Sequence, residues 1–215
     1  MIKNIIFDLD GTLINSHKDI INAFNHAFKK NYIKTKVNLN FFKINANLGS
    51  KYFIKNAAEH QKHDSKKIQN DFLNYYNSNF YKNTTLKKGV LEFLDYSKSM
   101  NYINILCTNK NEKTAIKILK KYNIYKYFNF IVGFDTFTEK KPQLKLIRKM
   151  KKKFKLKSSQ TLVIGDTEID SILAKRGKMK FCLIQNGYTI KKSIPNNFSF
   201  KDYFILKKKI TNEQK

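Results

Sequence analysis

Apolar positions fall into two regimes along the chain. From Ile2 to Leu9 the pattern alternates little and is apolar on both faces, which predicts a central strand buried on both sides, as in a parallel sheet. From Ser16 the spacing turns helical. Ile20, Ile21, Phe24, Ala27 and Phe28 recur on one face over Ser16–Asn31, and Ser16 with Asp19 three residues on reads as a capping box. Further helices are predicted over about Ser50–His60 and Ser65–Tyr81, the second with Ile68, Phe72, Tyr75, Tyr76 and Phe80 on or near one face. No strand pattern interrupts the stretch from Ser16 to Thr84. Beyond Gly89 helices and strands alternate. The helices are Val90–Met100, Glu112–Tyr122, Pro142–Phe154 and Ile169–Gly177; the strands are Ile103–Cys107, Phe130–Val132, Thr161–Ile164 and Lys180–Ile184.

Alternation of this kind means right-handed crossovers and a parallel sheet. The expected architecture is α/β, a Rossmann-like parallel sheet flanked by helices, with a small all-helical domain inserted after the first strand. The boundaries follow: residues 1–15 and 85–215 form the α/β core domain, and residues 16–84 the helical insertion. In such sheets ligands bind at the carboxyl ends of the strands, near the point where strand order reverses.

Composition adds a large charge, +27 net. The basic residues are 41 Lys and only 2 Arg, whereas surfaces that grip phosphates recruit the bidentate Arg fork. With 25 Asn and 25 Ile beside the lysines, the bias is that of AT-rich codons. The charge is therefore read as a compositional background with weak polyanion affinity, and no specific nucleic-acid partner is expected. The run Lys149–Lys157 reads as a solvated helix face. No stretch of 18 apolar residues is present, so no membrane partner is expected. The start of the chain lacks a signal-peptide pattern, and Cys107 and Cys182 sit in apolar runs without metal-ligand spacing, so the expectation is a cytoplasmic protein. His17, His26, His60 and His63 show no ligand spacing either.

Chemistry concentrates at the predicted strand ends. The first strand runs into Asp8-Leu9-Asp10-Gly11-Thr12-Leu13, two carboxylates that are costly at the end of a buried strand unless a cation satisfies them. A second strand ends in Thr108-Asn109, a hydroxyl before a helix. Lys140-Lys141-Pro142 precedes another helix, and a further strand ends in Gly165-Asp166-Thr167-Glu168-Ile169-Asp170. Acidic strand ends suit a hard divalent cation bound through oxygen, most plausibly Mg²⁺. A lysine and a hydroxyl beside it suit a phosphate dianion. The constellation reads as a phosphoryl-transfer site.

These segments, Asp-x-Asp-Gly-Thr-Leu, a hydroxyl residue before Asn-Lys, Lys-Pro and Gly-Asp-Thr-x-x-Asp, resemble in content and order the four motifs of the haloacid dehalogenase superfamily. The chain is most similar to its phosphoglycolate phosphatase-like group. The resemblance implies Asp8 as the nucleophile, Asp10 as general acid and then base, and Lys141 as the neutralising cation. It implies Mg²⁺ at the Asp8 carboxylate, the Asp10 carbonyl and Asp166, with Asp170 beside the metal or reaching it. Thr108 and the Asn109 amide would hold phosphate oxygens, Gly11 and Thr12 would shape the turn that lets the two aspartates diverge, and Gly165 and Thr167 would support the last motif. The helical insertion would be the cap that closes over the site and sets specificity. Asn47–Lys51 around Gly49 would face the substrate, and Lys43 and Lys51 would be candidates for a substrate carboxylate. Two departures are Asn15, where these phosphatases often carry Asp, and Lys-Pro-Gln-Leu in place of Lys-Pro-x-Pro.

The expected activity is thus a Mg²⁺-dependent phosphomonoesterase acting on a small phosphorylated metabolite, 2-phosphoglycolate or a similar ester, as a monomer or homodimer. A sugar-phosphate phosphatase or phosphomutase would keep every one of these residues. Dehalogenation would need neither Asp10 nor Asp166. Phosphonate cleavage would want a Schiff-base lysine in the cap. From another class, a non-catalytic polyanion or nucleic-acid binder would use the charge alone, and would betray itself by salt-sensitive DNA binding.

Overall fold

A computed structural model describes residues 1–45, 49–59, 64–189 and 193–212, apart from the side chains of 51 and 56–59. Its strands are β1 (Asn4–Phe7), β2 (Ile14–Asn15), β3 (Thr85–Leu86), β4 (Ile103–Cys107), β5 (Phe130–Val132), β6 (Thr161–Gly165), β7 (Lys180–Ile184) and β8 (Phe198–Phe200). The helices are α1 (His17–Lys30), α2 (Leu39–Asn45), α3 (Ser50–Glu59), α4 (Ser65–Asn79), α5 (Val90–Ser99), α6 (Glu112–Lys121), α7 (Leu144–Lys153), α8 (Glu168–Gly177) and α9 (Tyr203–Asn212). None is long and apolar enough to cross a membrane.

Six strands form one sheet in the order β5-β4-β1-β6-β7-β8, and every neighbouring pair is parallel. This is the expected α/β architecture. All four residues of β1 are buried, and it sits between β4 and β6, which explains why Ile5, Ile6 and Phe7 are apolar on both faces. Successive side chains leave opposite faces. Ile6 enters a cluster with Ile147 and Met150 of α7 and Leu173 of α8. Phe7 packs edge-on against Phe93 of α5, which in turn meets Tyr203 of α9. Burial of each such side chain contributes about 1.5–3 kcal/mol relative to exposure. After β1 the chain passes to β4 and β5 on one side, then crosses to β6, β7 and β8 on the other. The strand order therefore reverses beside β1.

The chain forms two compact units. One holds the described residues of Met1–Asn15, Leu86–Gly187 and Lys191–Lys215; the other those of Ser16–Thr85 and Tyr188–Ile190. The second unit is helical. Phe24 of α1 stacks on Phe53 of α3 at 4.2 Å and lies 4.5 Å from Phe72 of α4. At the far end of α1, Asp71 of α4 accepts hydrogen bonds from Lys30 Nζ (2.5 Å) and Asn31 Nδ2 (2.8 Å).

The capping box expected at Ser16 and Asp19 does not form. Ser16 has near-helical angles (φ −105°, ψ −2°) and makes no side-chain cap. Its backbone N–H and that of His17 donate instead to Tyr188 Oη, at 2.7 and 2.9 Å. Asp19 turns to the other end of the insertion, accepting from the Asn83 amide N–H (3.0 Å) and the Thr84 hydroxyl (2.8 Å). A long-range partner thus outcompetes the local one at each residue.

Candidate active site

The β1 strand delivers Asp8 beyond its carboxyl end, where the Asp8 N–H still donates to Ile164 O of β6 at 2.9 Å. The chain then turns. Gly11 takes φ 84°, a left-handed conformation that glycine adopts without steric cost, and its N–H donates to Ile14 O at 2.8 Å. Asp10 bridges back to Ile14 in the same turn. Thr12, fully buried, donates its hydroxyl to Asp166 Oδ1 at 3.0 Å and so links the first motif to the end of β6.

Lys141 reaches the same place from the loop after β5. Its Nζ lies 2.5 Å from Asp8 Oδ1 and 2.7 Å from Asp170 Oδ1, with its side chain 4% exposed. Asn109, just past β4, grips the Lys141 backbone at both polar atoms. The Lys141 N–H donates to Asn109 Oδ1 (3.1 Å), and Asn109 Nδ2 donates to Lys141 O (3.4 Å). Lys140 does not take part; its N–H bonds Gln143 Oε1 at the surface. Asp170, in the first turn of α8, accepts from the Thr167 N–H and hydroxyl through Oδ2 (3.2 and 2.8 Å) while Oδ1 takes Lys141. Its helix-capping and site contacts are therefore made by one carboxylate. Thr108 is buried and accepts the Lys110 N–H at 3.1 Å through Oγ1, which leaves its own hydroxyl hydrogen to be donated.

Carboxylate oxygens of Asp8, Asp166 and Asp170 all lie within 4.8 Å of one another, and all three residues are buried. With all three carboxyls ionised, they exceed the one buried ammonium by two negative charges. Burial pushes the Asp8 carboxyl up to about 7; Lys141 opposes this and Asp170 adds to it. Burial also works against the charge of Lys141, but Asp170 and Asp8 outweigh it and raise its pKa above the ordinary lysine value. An all-oxygen donor set with two surplus negative charges fits a hard dication such as Mg²⁺. Asp8 and Asp166 suit the role of direct ligands. Asp170 has both oxygens engaged by Lys141 and Thr167 and suits that of a support.

Three residues at the site carried no assignment from the sequence. Lys110 Nζ lies 3.3 Å from Asp10 Oδ2. Tyr203 of α9, fully buried, donates its hydroxyl to Thr12 O at 3.2 Å, and burial raises its phenol well above the usual range. Gly187 leaves room for Asp166: a Cβ there would lie 2.2 Å from the Asp166 Cβ. Gly165 does the same for Asp170, whose Cβ would be 2.3 Å from an added one. Of the candidates in the helical unit, Gly49 has φ 77° and open space around it, and Lys43 is half-buried on α2. Asn47 and the Lys51 side chain lie outside the described residues.

Residues 5–184 match the family model for haloacid dehalogenase-like hydrolases. A curated relative, a phosphoglycolate phosphatase from Mesorhizobium japonicum, is 26% identical over 190 residues, covering 86% of this chain and 83% of its own. The pyrophosphatase PpaX from Halalkalibacterium halodurans is 26% identical over 202 residues, covering 88% and 86%. The crystal structure of a predicted phosphoglycolate phosphatase from Haemophilus somnus superposes with a TM-score of 0.89 at 27% identity, covering 97% of this chain and 98% of that one. The match spans the acidic strand ends and the lysine that joins them, and the chain belongs to the haloacid dehalogenase-like hydrolase family.

Proposed function

We propose that this chain is a Mg²⁺-dependent phosphatase of small phosphate esters that works through a phosphorylated Asp8, with 2-phosphoglycolate the leading substrate. The observation that carries the reading is the buried Asp8–Lys141–Asp170 arrangement beside Asp166: a nucleophile, its counter-cation and an acidic cation seat at one switch point of the sheet. The substrate preference leans on those relatives that are named phosphoglycolate phosphatases, such as the one from Mesorhizobium japonicum.

In the first half-reaction an Asp8 oxygen forms a bond to phosphorus while the bond to the leaving oxygen breaks. Asp10 gives its proton to that oxygen, and the alcohol departs. In the second half, water attacks phosphorus, its proton passes to Asp10, and the bond to Asp8 breaks. Inorganic phosphate leaves, and both aspartates return to their starting states. Lys141 keeps Asp8 aimed and offsets charge on the phosphoryl group, and Thr108 donates to a phosphoryl oxygen. Mg²⁺ held by Asp8, Asp166 and the Asp10 carbonyl would supply charge neutralisation of the transferred group. Asp170 holds Lys141. The helical unit, taken as residues 16–84, serves in this reading as the specificity cap.

The test is phosphate release from 2-phosphoglycolate, hexose phosphates, nucleoside monophosphates, pyrophosphate and p-nitrophenyl phosphate. Release should stop with a chelator and return with Mg²⁺. Asp8→Asn should lose at least about a thousandfold in kcat, the scale of removing a covalent nucleophile. Turnover of no panel member by folded protein with Mg²⁺ would sink the reading. A steep preference for another member would correct the substrate and leave the chemistry standing.

A further inference from the structure

Two lysines enter the site, and the mechanism above uses one. Lys110 Nζ stands 3.3 Å from Asp10 Oδ2, with the two side chains 13% and 21% exposed. Its backbone is pinned from two directions. The Lys110 N–H donates to Thr108 Oγ1 at 3.1 Å, and the carbonyl accepts from the Phe134 N–H at 3.0 Å, in the loop after β5. The next residue, Asn111, is the N-cap of α6 and accepts from the Thr114 N–H at 2.7 Å. The strand end, the neighbouring loop and the helix start therefore all fix the point from which this side chain leaves.

Asp10 needs such a partner for a geometric reason. The turn at Gly11 fixes its backbone, and the direction of its carboxyl group is what a side-chain contact has to set. Its neighbour Asp8 is held by Lys141, which is already committed to Asp8 and Asp170. A cation on one Asp10 oxygen fixes the direction of the other. We infer that Lys110 is a positioning residue for Asp10, holding its carboxyl group where it meets the leaving oxygen. This rests on the phosphatase reading and deepens it: the two aspartates of one motif do different work because a different lysine holds each.

The inference predicts a dependence on the leaving group. An alkyl leaving group departs as a poor anion and needs the Asp10 proton; p-nitrophenolate leaves without one. The experiment compares Lys110→Met, Lys110→Arg and wild type, each with Mg²⁺, in the first-turnover release of alcohol from 2-phosphoglycolate (or the best alkyl ester of the panel) and from p-nitrophenyl phosphate. Lys110→Met should slow the alkyl ester by about ten- to a hundredfold, the scale of a misplaced general acid, and the aryl ester about tenfold less than that. Lys110→Arg, which keeps the charge and the donors, should recover most of the difference. Thermal unfolding of both variants separates this from a folding defect, which would slow both esters alike.

Equal losses on the two esters in an active wild-type background overturn the inference and leave the phosphatase reading intact. So does a rise in KM confined to substrates with a second anionic group at unchanged kcat, since that would make Lys110 a substrate ligand. A wild type inactive on every ester removes the phosphatase reading, and this inference with it.

Discussion

Two glycines show how little room the site leaves. At Gly187 an added Cβ would lie 2.2 Å from that of Asp166, and at Gly165 it would lie 2.3 Å from that of Asp170. Gly187→Ala must therefore displace either the loop after β7 or Asp166 itself. Forced overpacking of this kind costs about 1–3 kcal/mol. The expected result is a protein that folds with a lower melting temperature and no longer gains stability on adding Mg²⁺, read by thermal unfolding with and without the ion. A melting temperature that still rises with Mg²⁺ as in wild type would show that Asp166 has kept its place. The acidic residues themselves were legible, because carboxylates at the ends of apolar runs are costly and so informative. Lys110 and Gly187 were not. Lys110 stands in the quoted Thr-Asn-Lys segment, but nothing local in the sequence ties it to Asp10, and a glycine after Asn186 reads as an ordinary turn until the Asp166 side chain is seen against it. Asn109 was legible as a site residue through its amide, but its side-chain hold on the Lys141 backbone spans 32 residues and has no local trace.

Elements were legible where their periodicity was long or their burial complete. The expected bounds of β4, β5 and β7 are the observed ones, and α1 differs by one residue at each end. The short α2 went unread because Leu39–Asn45 buries only Phe42 and spans two turns, too little for a period to emerge. The strand β8, with three residues, and α9 were also missed. Tyr203, Leu206 and Ile210 of α9 do follow helical spacing, but Lys207, Lys208 and Lys209 mask it. Between α1 and α4, the bonds from Lys30 first and Asn31 second hold the Asp71 carboxyl below its ordinary value of 3.8, against the opposing effect of burial. A carboxyl with a depressed native pKa stabilises the fold above its unfolded value, and that stabilisation is lost as pH falls through the native one. Asp71→Asn should therefore lower the urea midpoint at neutral pH. The gap to wild type should close on acidification below the native pKa of Asp71. A gap independent of pH would mean that the contact works through packing instead.

On the scale of the whole molecule, the charge has a location as well as a size. Only 16 side chains are acidic, and Asp8, Asp10, Asp166 and Asp170 take four of them into one site. The remainder of the surface is dominated by lysine. Such a surface attracts anionic metabolites in general, and that attraction is screened within about 8 Å at physiological salt. The second-order rate kcat/KM on a dianionic ester should therefore fall as ionic strength rises, more steeply than on a monoanionic one, in a steady-state salt series at fixed Mg²⁺. Equal slopes would return the charge to the compositional background from which the sequence reading derived it. The charge was plain in the sequence, whereas its division between site and surface needed the fold. So did the segregation of the two cysteines. Cys107 on β4 and Cys182 on β7 are separated by β1 and β6, about 14 Å at the spacing of neighbouring strands, too far for a disulfide.

The ion pair between Asp8 and Lys141 also has a consequence in time. Its partners lie 133 residues apart, and ribosomes add about 5–20 residues each second. Asp8 is therefore made about 7–27 s before its counter-charge. The strands that flank β1 come late as well: β4 follows after the whole helical insertion, and β6 after Lys141 itself. Throughout that interval β1 is without β6, for most of it without β4 as well, and the acid at its end is without its cation. Any quality-control factor that binds exposed strands has its longest opportunity at the very segment that ends in Asp8 and Asp10.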